Sequence, residues 1–188
     1  LGDVYKRQLI PIDIVMDSRI SFYALCALMF SVGLSVGNDP QTLKNFRSLN
    51  PRLVFLPIMT ILGTLAGSAA VSLILTHRSL TDCLAVGSGF GYYSLSSIFI
   101  TEYKGAELGT IALLANISRE ILTLLAAPLL VRWFGNLAPI SAGGATTMDT
   151  TLPIITRTAG QQFVVISIFH GFVVDFSVPF LVTLFCSI

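Results

Sequence analysis

Long apolar runs alternate with short polar stretches along almost the whole chain. Several runs approach 20 residues, the length that an α-helix needs to cross about 30 Å of hydrocarbon. They predict one all-α transmembrane domain over residues 9–188, a polytopic helical bundle with discontinuous helices, as in inverted-repeat transporters. The predicted membrane segments are 20–37, 53–76, 80–101 (broken), 105–131, 144–158 (a half-helix or re-entrant segment) and 164–185.

The composition supports a membrane protein. Of the 188 residues 54% are hydrophobic and 11% are charged, and the mean hydropathy is +0.82, whereas soluble domains carry about 25% charged residues. The net charge of +1 offers no basic excess for a nucleic-acid partner. The three cysteines lack any metal or disulfide spacing, so we expect neither a metal nor another cofactor.

The first eight residues, LGDVYKRQ, do not fit the pattern that follows and resemble a translated sequencing adapter. We therefore expect residues 1–8 to be an artefact and the rest to be the C-terminal part of a longer protein.

Lysine and arginine positions predict an orientation, because cytoplasmic loops are enriched in both. With residues 38–52 in the cytoplasm, the predicted helices place Lys44, Arg47, Arg52, Lys104 and Arg157 inside, and Arg19, Arg78 and Arg132 outside. This mild preference predicts a multi-pass protein whose C-terminus faces outside.

Two charged residues, Arg119 and Glu120, lie in the middle of the run LLANISREILTLLAAPLL. Each charge at a helix centre costs about 2.5 to 3.5 kcal/mol, so this helix is not an isolated lipid-facing anchor. At 3.6 residues per turn one stripe holds Ala112, Asn116, Glu120, Thr123 and Ala127, with Arg119 at its edge. The stripe is expected to face protein or a water-filled cavity. The alternative to a functional role is an Arg119–Glu120 pair that only pins helices together.

The stretch GSGFGYYSLSS, residues 87–97, brings Gly87, Gly89 and Gly91 into a membrane segment, followed by Tyr93 and Ser94. Glycines permit non-helical backbone. At membrane depth, such backbone is tolerated where it is buried in protein or lines a cavity, and in transporters with broken helices it binds the substrate. Close helix packing through small residues is the alternative.

The stretch GGATTMDTTLP, residues 143–153, has a similar design of glycines, threonines, an acid and a proline. Thr146 or Thr147 is a candidate cap for a half-helix beginning near Met148, whose free N–H groups would favour an anion. Asp149 is either a site carboxylate, a capping residue or part of a water-exposed loop. His170 is interpreted as a residue that forms a hydrogen bond between helices. The alternative is a role in the substrate site.

Four motifs together resemble the bacterial lysine exporter family, the LysO-like exporters of the inner membrane. They are GSGFGYYSLSS, NISREI at 116–121, GGATTMDTTLP and FHGF at 169–172. FSVGLSVGNDP, residues 30–40, resembles the second copy of a family motif whose first copy would precede this chain. The resemblance implies export of L-lysine and of its toxic analogue thialysine across the bacterial inner membrane, with protons exchanged, and it implies an important acid at Asp149. Asp175 departs from the family pattern, in which a small hydroxyl residue is usual, and receives no role.

The chemistry of lysine agrees with these candidates. Its carboxylate needs a cation or helix N-terminus, and its ammonium groups need carboxylates. The expected substrate-binding residues are Asp149, Arg119, Glu120, Asn116, Tyr93, Ser94, Thr147 and Thr151, with Asp149 and Glu120 coupling protons; the expected hinge positions are Gly87, Gly89, Gly91, Gly143, Gly144 and Pro153. Rival interpretations are another cation-coupled transporter of amino acids or organic ions, or an intramembrane enzyme using His170, Asp149 and a hydroxyl of Ser94 or Thr147. The chain lacks GxSxG and HExxH motifs.

Overall fold

The computed structural model describes residues 51–75 and 77–188. The predicted helix 20–37, the proposed adapter at 1–8, the motif at 30–40 and the cations Arg19, Lys44 and Arg47 lie outside the described residues. All regular secondary structure within the described ranges is helical, which confirms the predicted class.

Seven α-helices and three 3-10 helices make up the described part of the chain. In chain order they are a 3-10 helix at Pro51–Phe55, α1 (Leu56–Ile74), α2 (Leu80–Gly87), α3 (Tyr93–Lys104), α4 (Ala106–Phe134), α5 (Ala138–Gly143), a 3-10 helix at Gly144–Met148, α6 (Leu152–Ala159), a 3-10 helix at Gln161–Phe163, and α7 (Val164–Ser187).

Within the described ranges, three stretches are long and apolar enough to cross a membrane: Leu53–Ile74, Ala106–Phe134 and Gln161–Ser187. They contain α1, α4 and α7. Short interrupted helices fill the chain between them, so the predicted discontinuous segments are present.

The segment 80–104 is a hairpin that enters the bundle and returns to the same end. Arg78, just before α2, pairs with Glu107 in the first turn of α4. Lys104, at the end of α3, lies 3.7 Å from Asp82 in the first turn of α2. We call α2, residues 88–92 and α3 hairpin A. The expectation that Arg78 and Lys104 lie at opposite ends is therefore wrong, because the chain reverses at residues 88–92.

The segment 138–159 forms a second hairpin, hairpin B, at the opposite end of the bundle. Ile140 in the first turn of α5 and Ala159 at the end of α6 belong to one buried cluster with Ile166 near the start of α7. Val131, near the end of α4, packs against the same cluster. Because α4 runs from the base of hairpin A to the base of hairpin B, the two hairpins enter from opposite ends.

The face that α4 turns inward agrees with the predicted stripe. Ala112, Asn116, Thr123 and Ala127 are at most 3% exposed, and Glu120 is half-buried. In contrast, added Cβ atoms at Gly63 and Gly67 on α1 would meet nothing within 4 Å. Close helix packing at these two glycines is therefore not seen.

Candidate functional site

The tips of the two hairpins meet inside the bundle. The Ala145 amide donates a hydrogen bond to the Phe90 carbonyl oxygen at 2.9 Å. Gly144 has φ +65°, and a Cβ there would overlap that same oxygen. Gly91 has φ +94°, and its Cβ would lie 3.1 Å from the Gly143 carbonyl oxygen. Both positions need glycine because the backbone is left-handed and the opposing tip is too close for a side chain.

Asn116 on α4 holds the tip of hairpin A. Its Oδ1 accepts from the Gly91 amide at 2.8 Å, and its Nδ2 donates to the carbonyls of Val86 and Ala112 at 3.1 and 2.9 Å. The side chain is buried, as is expected of an amide whose groups are all bonded. A Cβ at Gly89 would lie 2.5 Å from Asn116 Nδ2, so this glycine leaves room for the amide.

The amides of this tip are occupied by the protein itself. Besides the Gly91 amide, the Phe90 amide donates to Gly87 and the Tyr92 amide to Gly89, at 3.2 and 2.7 Å. The expectation that glycine-freed amides bind substrate is not met here, because turn geometry and Asn116 satisfy them first. Tyr93 and Ser94, which begin α3, are exposed.

Threonine hydroxyls hold the tip of hairpin B. Thr147 is fully buried, and its Oγ1 lies 2.8 Å from the Gly144 carbonyl oxygen and 3.0 Å from that of Ser167 on α7. The Ser167 hydroxyl donates back to the Thr147 carbonyl at 2.9 Å. Thr151 is also fully buried, and its Oγ1 lies 3.3 Å from that of Thr146. The hydroxyls of these threonines thus form hydrogen bonds within the tip and with α7.

The half-helix of hairpin B begins at Leu152, with Pro153 in its first turn, and not near Met148 as expected. Residues 144–148 wind as a 3-10 helix instead, and Asp149 at φ −138° and ψ −88° interrupts the helical path. No side chain caps α6. The predicted anion site at a Met148 helix start is therefore absent from the described residues.

His170 links three elements. Its Nε2 lies 2.9 Å from the Thr60 hydroxyl on α1, and its Nδ1 lies 3.2 Å from the Thr147 hydroxyl. Thr60 in turn donates to the Ser141 hydroxyl on α5 at 3.1 Å. His170 is fully buried, which supports the interpretation as a hydrogen bond between helices. Of the residues proposed for an intramembrane enzyme, the structure brings the His170 ring and the Thr147 hydroxyl together, whereas Ser94 and Asp149 are exposed.

Arg119 forms its hydrogen bonds with hairpin B and not with Glu120. Its Nε and Nη2 donate to the carbonyls of Ala142 and Ser141, in the last turn of α5, at 2.8 and 3.1 Å. Its Nη1 lies 3.3 Å from the Thr64 hydroxyl on α1. Among the described residues no ion pair joins Arg119 to an acid, so the Arg119–Glu120 pair is not formed. The guanidinium carbon lies 5.8 Å from the centre of the buried Phe90 ring, near the contact between the tips.

Asp149 is an exposed carboxylate at the tip of hairpin B. Its Oδ1 accepts from the amide and hydroxyl of the next residue, Thr150, at 2.5 and 3.4 Å. It caps no helix among the described residues, because α6 begins three residues later without a side-chain cap. Asp149 is therefore an exposed carboxylate that neither caps a helix nor pairs with a cation among the described residues.

A cavity of about 830 Å³ lies between α1, α2 and α4. Its polar lining residues include His77, Arg78, Asp82, Asn116 and Arg119. It connects the charged base of hairpin A with the guanidinium that holds hairpin B.

Sequence reasoning missed several residues that build this site. Phe90 is fully buried at φ +46° and provides the carbonyl that joins the tips. Only its place between two glycines hinted at this conformation. Thr60, Thr64 and Ser141 are single polar residues in apolar runs, and nothing in the pattern indicated their partners.

A family model described as lysine exporter LysO matches residues 2–186. The chain belongs to this lysine exporter family. It is 36% identical over 170 residues to "Lysine exporter LysO" of Escherichia coli strain K12, covering 90% of this chain and 56% of the relative. It is 35% identical over 167 residues to "Putative lysine exporter" of Haemophilus influenzae strain ATCC 51907, covering 89% of this chain and 84% of the relative. The chain thus spans little more than half of the first relative. No solved structure matches it.

Proposed function

We propose that this chain is the part of a transporter that binds L-lysine, and thialysine, and moves it out of the bacterial cytoplasm in exchange for protons. The names of both relatives support the substrate. The observation that carries the proposal is structural: two hairpins from opposite ends of the bundle touch at their tips, and one tip exposes the carboxylate of Asp149. Such re-entrant backbone buried in a bundle is typical of transporter sites.

In this proposal Asp149 binds either a lysine ammonium group or a proton. The two cations compete for the same oxygens, so binding of one releases the other, and this exclusion is sufficient for antiport. Glu120, half-buried and without an ion partner among the described residues, is proposed as the second proton-coupling acid. Intramembrane acids commonly mark such paths.

Arg119 is the proposed partner for the substrate carboxylate. A guanidinium has five N–H groups, and three of them face Ala142, Ser141 and Thr64. The remaining two are available to a ligand in the adjoining cavity, which Arg119 lines. The same side chain would then join the substrate to hairpin B.

We place the end of the bundle with Arg132 and Arg157 in the cytoplasm. Arg132 lies in the last turn of α4 and Arg157 in the last turn of α6, and Lys44, Arg47 and Arg52 precede α1 in sequence. The opposite end carries Arg78 and Lys104. Helix α1 begins at the first end, where Leu53 and Leu56 pack against the same buried cluster, and the cations that precede it in sequence favour this end as the inner one. Since α1, α4 and α7 each cross once, the C-terminus is proposed to face outside.

The test is Asp149→Asn in the complete reading frame that contains this chain, expressed in a bacterium without lysine export. We expect lysine efflux to fall about tenfold or more, because the amide keeps the shape of the side chain but cannot pair with an ammonium group or exchange a proton. Glu102→Gln is the matched control, since it removes one exposed charge at the base of hairpin A.

Membrane-inserted protein is measured alongside efflux. Normal efflux by the Asp149→Asn variant would contradict the proposed role of Asp149. Failure of the unmutated protein to reduce intracellular lysine or to protect against thialysine would contradict the proposed substrate.

A further inference from the structure

Asp175 is a buried carboxylate that has no partner in the part of the chain that the structure describes. It lies at the middle of α7 and is 4% exposed, yet it makes no hydrogen bond or ion pair with any described residue. Every fully buried side-chain nitrogen or oxygen among the described residues has a hydrogen-bond partner. Since the oxygens of Asp175 have none, they are not fully buried. The carboxylate therefore reaches a small open space inside the bundle.

Asp175 lies near both hairpin tips. One turn before Asp175, a Cβ at Gly171 would lie 2.6 Å from the Met148 amide nitrogen, so α7 passes directly beside the tip of hairpin B. Asp149 and the phenol of Tyr92, at the tip of hairpin A, lie within electrostatic range of Asp175. Three elements thus each contribute one oxygen-bearing side chain to the same region.

The arrangement lacks a cation. Buried polar groups almost always have hydrogen-bond partners, and a carboxylate at the centre of a membrane helix is unfavourable unless it is paired. Arg119 and Arg78 are engaged elsewhere: Arg119 bonds to α5 and α1, and Arg78 pairs with Glu107. Nothing in the described protein compensates the charge of Asp175.

We propose that Asp175, together with Asp149 and Tyr92, forms a binding site for a primary ammonium group. An ammonium group has three N–H donors directed apart from one another, and three side chains from three elements offer oxygen acceptors. An ammonium held there would link α7 to both hairpin tips. The assignment to lysine rests on the proposed function; the ammonium chemistry rests on these residues alone.

The experiment measures thermal stability of the complete purified protein in detergent against increasing L-lysine, cadaverine or L-norleucine. Cadaverine has two ammonium groups and no carboxylate, whereas norleucine lacks the side-chain ammonium of lysine. The first variant is Asp175→Asn, whose side chain has the same shape as that of aspartate. The second is Asp175→Ser, which is used if the Asp175→Asn protein does not fold. Glu102→Gln is the control, and sodium chloride is compared with choline chloride at equal ionic strength.

We expect lysine and cadaverine to stabilise the unmutated protein and the control, and norleucine to do so much more weakly. In the Asp175 variants the lysine and cadaverine concentrations needed for half of the effect should rise about tenfold or more, while the response to norleucine stays unchanged.

Unaltered lysine and cadaverine responses in folded Asp175 variants would overturn the ammonium site, and so would stabilisation by sodium alone that disappears with Asp175. A response to cadaverine that depends on Asp175, without any response to lysine, would support the ammonium site and contradict the lysine substrate. Absence of both responses in the unmutated protein would overturn both proposals.

Discussion

The two hairpins solve the same problem with different chemistry. Each brings non-helical backbone to the middle of a membrane bundle, where every peptide group needs a partner. Hairpin A uses one amide side chain from outside, Asn116, whereas hairpin B uses its own threonine hydroxyls and Ser167 on α7. The tip supported by its own hydroxyls together with Ser167 and Arg119 is the one that exposes Asp149.

Helix α4 holds both hairpins. Asn116 binds hairpin A, and Arg119, three residues later, binds the last carbonyls of α5 in hairpin B. The two side chains lie on neighbouring turns of one face. The separation of the hairpin tips is therefore set by a single helix, and the contact between Phe90 and Ala145 depends on it.

The largest effect is expected for Gly144→Ala, which acts on the contact between the hairpins. A residue with a Cβ at positive φ costs about 1–2 kcal/mol, and overpacking against the Phe90 carbonyl adds about 1–3 kcal/mol. The free energy of unfolding should therefore fall by about 2–5 kcal/mol, and lysine efflux should be lost with it. Denaturation in detergent and whole-cell efflux measure the two quantities.

Gly63→Ala is the matched control, because a Cβ there meets nothing within 4 Å and alanine favours the helix by up to about 1 kcal/mol. A Gly144→Ala protein as stable as this control would show that the tips do not touch.

A smaller effect is expected at the anchor of hairpin B. Arg119→Lys should lose stability by about 1–3 kcal/mol and should impair efflux nearly as much as Arg119→Ala. An ammonium group cannot reach Ala142, Ser141 and Thr64 together as the planar guanidinium does. Near-normal stability and efflux of the lysine variant would indicate that only the positive charge matters. It would contradict the account in which the guanidinium of Arg119 holds hairpin B by several hydrogen bonds, as the amide of Asn116 holds hairpin A.

The sequence predicted features that depend on local chemistry. Helical periodicity placed Ala112, Asn116, Thr123 and Ala127 on an inward face, and all four are buried. The glycine-rich stretches were recognised as interruptions because glycine is the residue that permits non-helical backbone at membrane depth. The cost of an intramembrane charge indicated that Arg119 has protein partners, although not which ones.

The path of the chain through the bundle was not predictable in the same way. Segment 80–101 has the length and hydropathy of a membrane crossing, yet it turns back at residues 88–92. Apolar length cannot distinguish a crossing from a hairpin whose two arms sum to the same length. The deciding contacts join Arg78 to Glu107 and Lys104 to Asp82, pairs more than 20 residues apart. The position of Asp175 beside both tips likewise depends on packing that no local pattern encodes.

The entry of the hairpins from opposite ends is tested most directly by the sidedness of single cysteines in the complete protein. Cysteines are introduced at the exposed positions His77, Glu102 and Asn136, one at a time, after the native cysteines are replaced, and are labelled with a membrane-impermeant maleimide in intact and opened cells. We predict that positions 77 and 102, at the base of hairpin A, react from the same side, the outside. Position 136, between α4 and hairpin B, should react only after the cells are opened. Reaction of positions 77 and 102 from opposite sides of the membrane would contradict the account.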